Sequence, residues 1–223
     1  MRFLLAYLRS GDIILDVGAN IGTYSLLAAS IPGTRVWAFE PSTLACERHR
    51  ENILLNALQE RISLVQRAVG VASGFGFLTL GKDTVNSLVE RAFDELMDDD
   101  SMEAVGIVSL DDYFGGDELP VALIKVDVEG REGDVLLGAR QLILRSSPAL
   151  IIECNHLEEL RKFLVPLGYH RYEYEPDSGV LRPVPWEHEA ANNLLALKDV
   201  ALTETRLLKP WAAEPWPTRS EVS

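Results

Sequence analysis

The sequence of 223 residues is 47% hydrophobic and 25% charged, the composition of a globular domain, and chains of this length often fold as one unit. Its net charge of −13 gives no general attraction to nucleic-acid phosphates or anionic lipids, so we expect neither as a partner. Two cysteines are too few for a disulfide framework, which fits a cytoplasmic protein. No hydrophobic run approaches the length of a membrane span.

The first third of the chain alternates strands with helices. Residues 1–8 predict a short helix and not a signal peptide, because polar residues interrupt the hydrophobic run. The following predicted elements are a strand at Ile13–Val17, a helix at 23–30, a strand at Arg35–Phe39, a helix at 42–58 and a strand at 62–69. Short connections between such elements favour right-handed crossovers, which predicts half of a doubly wound sheet.

The pattern changes in the middle of the chain and then returns. Short alternating segments at 75–79 and 105–109 predict an antiparallel excursion, with a flexible acidic loop at 95–100 between them. The remaining predicted elements are a strand at 123–126, a helix at 132–144, a strand at Ala149–Glu153, a helix at 157–167, and closing strands at 169–174 and 194–197 around a turn at 177–179.

The element order defines the expected fold class. We predict an α/β protein with a Rossmann-like, doubly wound, mostly parallel sheet, an antiparallel excursion and a closing antiparallel strand. We expect a single domain over residues 1–209. Residues 210–223 are rich in Pro and Trp without periodicity and predict a loose C-terminal tail.

A glycine-containing loop joins the first predicted strand to the next helix. It runs from Asp16 to Gly22 and includes Gly18 and Asn20. Glycine allows a tight turn and a close approach to a ligand, and Asn tolerates left-handed backbone better than most residues. In this context the loop predicts a binding site for a polar or anionic ligand, the alternative being a plain strand-to-helix turn.

An acidic residue, Glu40, follows the second predicted strand. A carboxylate at this place reaches ribose hydroxyls in nucleotide-binding folds. The alternative is a carboxylate that the helix dipole favours at the start of the next helix, near Ser42. Glu40 and the glycine loop together predict a cofactor that contains adenosine.

Asp16 distinguishes between two such cofactors. Its carboxylate would repel the pyrophosphate of NAD, whereas it can pair with the amino-acid end of S-adenosylmethionine. We therefore predict S-adenosylmethionine as the cofactor.

Six blocks of the sequence form an ordered set that resembles a known family. They lie at 16–22, 38–41, 52–56, 109–112, 124–139 and 148–153. The most specific block is Lys125-Val126-Asp127-Val128-Glu129-Gly130. Over roughly residues 13–197 the chain resembles the FkbM family of S-adenosylmethionine-dependent methyltransferases.

The resemblance implies a fold of the class I methyltransferase type and methylation of a hydroxyl group on a sugar, lipid or secondary metabolite. The predicted cofactor-binding residues lie in the glycine loop and after the second and third strands. They are Asp16, Gly18, Asn20, Gly22, Thr23, Glu40, Pro41, Ser42, Ala68 and Val69.

Three charged residues, Lys125, Asp127 and Glu129, lie at the end of the otherwise apolar fourth strand. Buried charges are costly unless they are paired or used, and this strand end meets the cofactor crevice in such sheets. Asp127 is therefore a candidate to orient the acceptor hydroxyl, to take its proton or to hold a divalent ion. For Lys125 and Glu129 a structural ion-pair network is an equal alternative to a catalytic role.

Polar residues also follow the fifth predicted strand. Asp127, Glu153 and Asn155 are candidate ligands for a divalent cation such as magnesium. His156 is a candidate catalytic base because its ordinary pKa is near neutral, and a solvent-exposed residue at a helix start is the alternative.

The leading hypothesis from the sequence is an S-adenosylmethionine-dependent methyltransferase that acts on a hydroxyl of a small molecule or glycan. A nitrogen or protein methyltransferase is one alternative, although no Asn-Pro-Pro-type segment follows the fourth strand. A non-catalytic adenosyl-binding or scaffold protein is the other. The oligomeric state stays open, with a homodimer as one option.

Overall fold

The computed structural model describes residues 1–79, 88–89, 102–116, 119–188 and 192–208. The helices are α1 Arg2–Tyr7, α2 Thr23–Ala29, α3 Thr43–Leu55, α4 Leu110–Phe114, α5 Glu132–Gly138, α6 Arg140–Ser146, α7 Leu157–Leu164 and α8 Val200–Leu207, with a 3₁₀ turn at Val165–Leu167. The strands are β1 Ile13–Val17, β2 Arg35–Phe39, β3 Ile62–Val65, β4 Ala68–Val69, β5 Gly74–Thr79, β6 Leu88–Val89, β7 Met102–Val108, β8 Val121–Val126, β9 Ala149–Glu153, β10 His170–Glu175, β11 Val180–Pro183 and β12 Asn193–Leu197.

Eight of these strands form the main sheet, in the order β11-β10-β12-β9-β8-β1-β2-β3. The strands β9, β8, β1, β2 and β3 run parallel, whereas β12 is antiparallel to β9 and β10 is antiparallel to both β11 and β12. The strand order reverses at β1, which has β2 on one side and β8 on the other. In open α/β sheets ligands bind at such a reversal, beside the carboxyl ends of the strands.

A smaller sheet has the order β4-β7-β5-β6. In it β5 pairs antiparallel with β7, as the alternating pattern predicts, and β4 pairs parallel with β7. Because β4 follows β3 after only two residues, the small sheet lies beside the β3 edge of the main sheet. The predicted fold class, including the antiparallel excursion and the closing antiparallel strands, is confirmed.

The central strands are buried because their residues are apolar on both faces, and β8 is buried at every position. One face packs mainly on α5, α6 and α7 through a core that includes Val126, Leu136, Leu150 and Ile152. The other face packs on α1 and α2 through residues such as Leu4, Ala28 and Ile14. The sheet therefore separates two cores.

Two predicted elements are divided in the structure. The predicted strand at 62–69 ends at Val65, where the chain turns and the N–H of Arg67 donates to the Val65 carbonyl at 2.9 Å. The predicted helix at 132–144 is interrupted at Ala139, whose ψ of 8° is not helical. Just before this break, a Cβ on Gly138 would lie 2.0 Å from the Gly70 carbonyl oxygen.

Strands β6 and β11 and helices α4 and α8 were not predicted from the sequence, and some predictions remain untested. Strand β11 pairs with β10 across the predicted turn at 177–179, and helix α8 follows Asp199, whose carboxylate accepts from the Leu202 N–H at 2.8 Å. The predicted loop at 95–100 and the tail at 210–223 lie outside the described residues. The single domain over 1–209 stays a prediction.

Candidate active site

The glycine loop follows β1 at the point where the strand order reverses. Its first turn is fixed by Gly18 and Ala19, whose N–H groups both donate to the Phe39 carbonyl at 3.0 Å. Gly18 has φ of +71°, and a Cβ at this position would lie 1.8 Å from the carbonyl oxygen of Asp127. Only glycine fits there, because the end of β8 already occupies the space.

The loop ends at Gly22, the residue that precedes α2. Gly22 has φ of +93°, and an added Cβ would lie 2.2 Å from the imidazole ring of His49 on α3. His49 is fully buried, and burial lowers its pKa. Neither ring nitrogen has a hydrogen-bond partner among the described residues. His49 therefore supports the loop from behind as a neutral ring.

Glu40 connects the loop to α3. Its Oε2 accepts from the Asn20 N–H at 2.8 Å and its Oε1 accepts from the Ser42 N–H at 2.9 Å. Burial raises the pKa of Glu40, while these two backbone donors oppose the rise. Asn20 itself has φ of +49°, which Asn tolerates well. The carboxylate thus holds the loop against the start of α3, as the sequence-based alternative described, and also lines the cavity at this place.

Asp16 and Lys125 lie beneath the loop and are almost fully buried. Asp16 Oδ2 accepts from the Ser25 hydroxyl at 2.6 Å, and Asp16 Oδ1 lies 3.6 Å from Lys125 Nζ. Lys125 Nζ also donates to the Gly18 carbonyl at 2.9 Å and lies 3.2 Å from Asp127 Oδ2. One ammonium therefore links the loop, β1 and the end of β8, which is the pairing that a buried charge requires.

A cavity of about 600 Å³ opens above these residues, within the range of small-molecule sites. It contains most of the predicted cofactor-binding residues: Gly18, Asn20, Thr23, Glu40, Pro41, Ser42, Ala68 and Val69. Asp16 and Gly22 lie behind the wall and do not line it. The Asp16 carboxylate contacts Ser25 and Lys125, its Oδ1 has no hydrogen-bond partner among the described residues, and its contact with the cofactor stays a prediction.

Three carboxylates lie at the end of this cavity near β8 and β9. Asp127, Glu129 and Glu153 all line it, and each offers one oxygen within 4.8 Å of the others. Burial raises the pKa of Glu153 to about 7, and a hydrogen bond with Asp127 adds to the rise. Burial together with Asp127 and Glu132 raises the pKa of Glu129. We call these three residues the acidic cluster.

The backbone beside the acidic cluster is unusual. Glu129 has φ of +52°, a conformation that side chains larger than Asn rarely adopt outside functional sites. The next N–H, of Gly130, donates to Glu132 Oε1 at 2.9 Å. Glu132 is buried and also accepts from Asn155 Nδ2 at 3.2 Å. Glu132 therefore joins the loop after β8 to the loop after β9.

The remaining two predicted site residues lie outside the cavity wall. Asn155 is exposed and directs its amide nitrogen toward Glu132 and Glu153, so it offers these carboxylates a donor. His156 is exposed at the start of α7 and does not line the cavity. The group that can hold a hard cation is therefore Asp127, Glu129 and Glu153.

Sequence reasoning missed several residues of the cavity. Tyr24 lies in the first turn of α2, and Lys125 Nζ is 5.2 Å from the centre of its ring; its place just after the glycine loop was the available signal. Arg67 lines the cavity from the turn between β3 and β4, which the single predicted strand at 62–69 concealed. Arg48 and Arg131 also line it; nothing in the sequence context of Arg48 singles it out, whereas Arg131 directly follows the most specific sequence block.

Residues 16–176 match the methyltransferase FkbM domain, so the chain belongs to the FkbM family of S-adenosylmethionine-dependent methyltransferases. This confirms the family resemblance of the six sequence blocks. The described helices include none that is long and apolar enough to cross a membrane.

Individual relatives are distant. The chain is 28% identical over 158 residues to the hexuronic acid methyltransferase AglP of Haloferax volcanii, covering 70% of this chain and 61% of that protein. It is 28% identical over 159 residues to the 31-O-demethyl-FK506 methyltransferase FkbM of Streptomyces tacrolimicus, covering 59% and 60%. It is 26% identical over 112 residues to the ribosomal protein L11 methyltransferase of Bacillus pumilus, covering 48% and 36%.

The fold also matches a solved structure of the same family. The methyltransferase FkbM from Methylobacillus flagellatus superposes with a TM-score of 0.56 and 20% identity, covering 84% of this chain and 43% of that one. The chain thus spans about a third to three fifths of the length of these curated relatives.

The cavity residues fit the cofactor that the family uses. The cavity provides a carboxylate, Glu40, held by two backbone donors, apolar side chains at Val69 and Leu78, and a carboxylate-rich opposite end. A ribose needs an acceptor, an adenine ring needs apolar walls, and the methyl group must meet an acceptor. The cavity offers all three features.

Proposed function

We propose that this protein is an S-adenosylmethionine-dependent O-methyltransferase that acts on a hydroxyl group of a small molecule or glycan. The observation that carries the proposal is the group of three carboxylates, Asp127, Glu129 and Glu153, that line the cavity close to one another. A hydroxyl must lose its proton during methyl transfer, and a carboxylate placed beside it can accept that proton.

The cofactor would lie along the glycine loop. Glu40 would accept hydrogen bonds from the ribose hydroxyls, while Val69 and Leu78 would pack on the adenine. Lys125 is assigned a positioning role, because its ammonium already has three oxygen neighbours in Gly18, Asp16 and Asp127.

The cofactor supplies an electrophilic methyl group bonded to a sulfonium. With the cofactor bound, the acceptor oxygen would take this methyl group, and S-adenosylhomocysteine would be left as the product. The hydroxyl proton passes to Asp127, whose negative charge Lys125 stabilises at 3.2 Å. A positioned base of this kind contributes about 10²–10⁴-fold to the rate.

A hard cation is the competing role for the acidic cluster. Asp127, Glu129 and Glu153 would hold it, and it would lower the pKa of a hydroxyl that it binds. We favour the proton-acceptor role, because the ammonium of Lys125 already lies 3.2 Å from Asp127 Oδ2 and would repel a cation bound beside it. Full turnover in EDTA supports this choice; loss of turnover that magnesium or manganese restores overturns it.

The acceptor class needs a direct test, because the relatives include a ribosomal protein methyltransferase. We would incubate the protein with S-adenosylmethionine carrying a deuterated methyl group and matched acceptors that differ in one hydroxyl or amine, such as a methyl hexoside and its amino sugar. Mass spectrometry should show labelled methyl ethers. Labelled amines would support the nitrogen methyltransferase alternative, and cofactor binding without transfer would support a non-catalytic protein.

A further inference from the structure

A second cavity of about 530 Å³ lies next to the first. The two share Met1 and Tyr24 in their walls. Four aromatic rings line the second cavity, from Phe3, Tyr24, Tyr172 and Tyr174. We call it the aromatic cavity.

The pairing of the main sheet shows that both cavities lie along one face. Directly paired residues point to the same side of a sheet. Tyr172 pairs with Leu195, and Leu195 pairs with Ile151. Ile151 in turn pairs with Lys125. The row runs without interruption from the ammonium beneath the glycine loop to the floor of the aromatic cavity.

The acidic cluster lies next to this row, at the carboxyl ends of β8 and β9. Glu153, which lines the first cavity, pairs with Asn193, which lines the aromatic cavity. Tyr24 is shared by the two walls and faces Lys125. A ligand whose hydroxyl reaches Asp127 would therefore have to extend past Tyr24 to contact Tyr172.

The aromatic rings are held in place by their neighbours. Phe3 stacks on Tyr7 with ring centres 5.2 Å apart and meets Tyr174 edge-on at 5.5 Å. Tyr172 and Tyr174 are half-buried, so part of each ring remains available. Fixed rings with few polar groups around them are typical of sites that bind a flat or ring-shaped ligand.

We propose that the aromatic cavity binds a second ring of the methyl acceptor, so that the substrate is a neutral glycoside or oligosaccharide of at least two rings. The inference rests on the proposed function, because it places the reacting ring at the acidic cluster. A sugar ring has an apolar C–H face for Tyr172 and hydroxyl donors for carboxylate and amide oxygens. The two cavities together supply both kinds of contact.

Charge favours a neutral ligand over an anionic one. The acidic cluster would repel a carboxylate on the reacting ring. At the aromatic cavity the charged lining residues are Arg2 and Glu173, and Arg2 is already paired with Asp177 at 3.0 Å. Met1 also lines this cavity, and burial lowers the pKa of its amino group and so disfavours the charged form. Among the described side chains of the lining, no unpaired cation is left to hold an acid at the second ring.

The test compares methyl glycosides of neutral hexoses with the matching disaccharide methyl glycosides, titrated by saturation-transfer NMR in the presence of S-adenosylhomocysteine. The disaccharide should bind about tenfold more tightly than the monosaccharide, the value of one good aromatic contact. Tyr172→Ala should remove this difference, whereas Tyr172→Phe should keep it because the ring remains. Tyr172→Leu should also remove the difference, because it removes the aromatic ring while it keeps a large apolar side chain in the core.

Phe75→Ala is the matched control, since Phe75 is 83% exposed and lines neither cavity. Equal binding of one-ring and two-ring ligands overturns the inference, as does an unchanged preference in Tyr172→Ala and Tyr172→Leu. Failure of every glycoside to bind while S-adenosylhomocysteine binds also overturns it. Failure to bind S-adenosylhomocysteine, with the disaccharide preference intact, would instead overturn the proposed function.

Discussion

The glycine loop and the acidic cluster line the same cavity and are joined by Lys125, but their polar groups are arranged differently. In the loop region both oxygens of Glu40 accept backbone hydrogen bonds, and Asp16 is held by Ser25 and Lys125. In the acidic cluster three carboxylates approach one another, and the pKa of Glu153 rises to about 7. The carboxylates of the loop region have fixed partners, whereas those of the acidic cluster lie close enough to change one another's pKa.

This difference suits the loop region to binding the cofactor and the acidic cluster to transferring a proton. A paired and buried group has one stable protonation state, so it gives a ligand a constant surface. Carboxyl groups that share a proton can accept or release one near neutral pH. Substitutions at the loop should therefore change cofactor affinity or folding, and substitutions in the acidic cluster should change turnover and its pH dependence.

The largest effect should come from Asp127→Asn. Turnover should fall by about 10²–10⁴-fold, because the amide keeps the shape but cannot accept the hydroxyl proton. Calorimetry should show nearly unchanged affinity for S-adenosylhomocysteine. Asp134→Asn is the matched control, since Asp134 is paired with Arg131 at 2.7 Å and does not line the cavity.

His156→Ala sharpens the same comparison. If His156 is the base, its loss should lower turnover as much as that of Asp127, and high pH should partly restore it. We expect little change, because His156 does not line the cavity. Normal turnover in Asp127→Asn with impaired cofactor affinity would contradict our assignment and place Asp127 among the cofactor contacts.

Lys125→Met should lower the free energy of unfolding by about 3–5 kcal/mol, the typical result when one member of a buried ion pair is removed. The substitution leaves Asp16 buried without its cation and removes the donor to the Gly18 carbonyl. Urea denaturation measures the change. Lys162→Met, on the exposed side of α7, should be nearly neutral, and equal stability of the two variants would contradict the linking role of Lys125.

Glu40→Ala should weaken S-adenosylmethionine binding by about 1.5–3 kcal/mol, the usual value of a hydrogen bond to a charged group. Calorimetry is the measurement. Glu103→Ala is the control, because Glu103 also accepts from a backbone N–H at the start of α3, that of Thr43, yet does not line the cavity. If both variants bind equally, Glu40 acts only as a support for α3 and not on the ribose.

The smallest effect concerns the pH dependence of stability. The folded-state pKa of Glu153 is about 7, above its ordinary value of 4.5, so the native protein binds more protons than the unfolded chain between these values. Stability should therefore fall as the pH rises through this window. Glu153→Gln should lessen this fall, as measured by melting temperatures at pH 5 and pH 8. An unchanged profile would show that Glu153 does not titrate there.

Sequence patterns predicted the parts of the fold that depend on continuous apolar runs. β1, β2 and β9 have the predicted boundaries because each is an apolar segment with clear ends. The sequence did not predict that the strand at 62–69 is divided, because the residues on either side of the turn, Val65 and Ala68, are both apolar. Strand β11 is mostly exposed, so its residues carry no burial pattern.

The sequence predicted which residues lie at the strand ends that line the cavity, but not the contacts of the buried residues beneath them. The positions of Glu40 and Asp127 after their strands placed them correctly at the strand ends that meet the cavity. Sequence alone did not show that Asp16 faces Ser25 and Lys125 beneath the loop, because strand ends point alternately to either face. Tyr24 was missed since an aromatic residue in a helix usually packs in a core.

Gly18 has a consequence for redesigning this loop. A glycine in such a loop usually leaves room for a ligand, but here the carbonyl of Asp127 occupies the place where a side chain of residue 18 would begin. Libraries that aim to change cofactor preference can vary Asn20 or Thr23, which line the cavity, but should leave position 18 unchanged. Gly18 is therefore required by the packing of the loop against the end of β8, whether or not a ligand is bound.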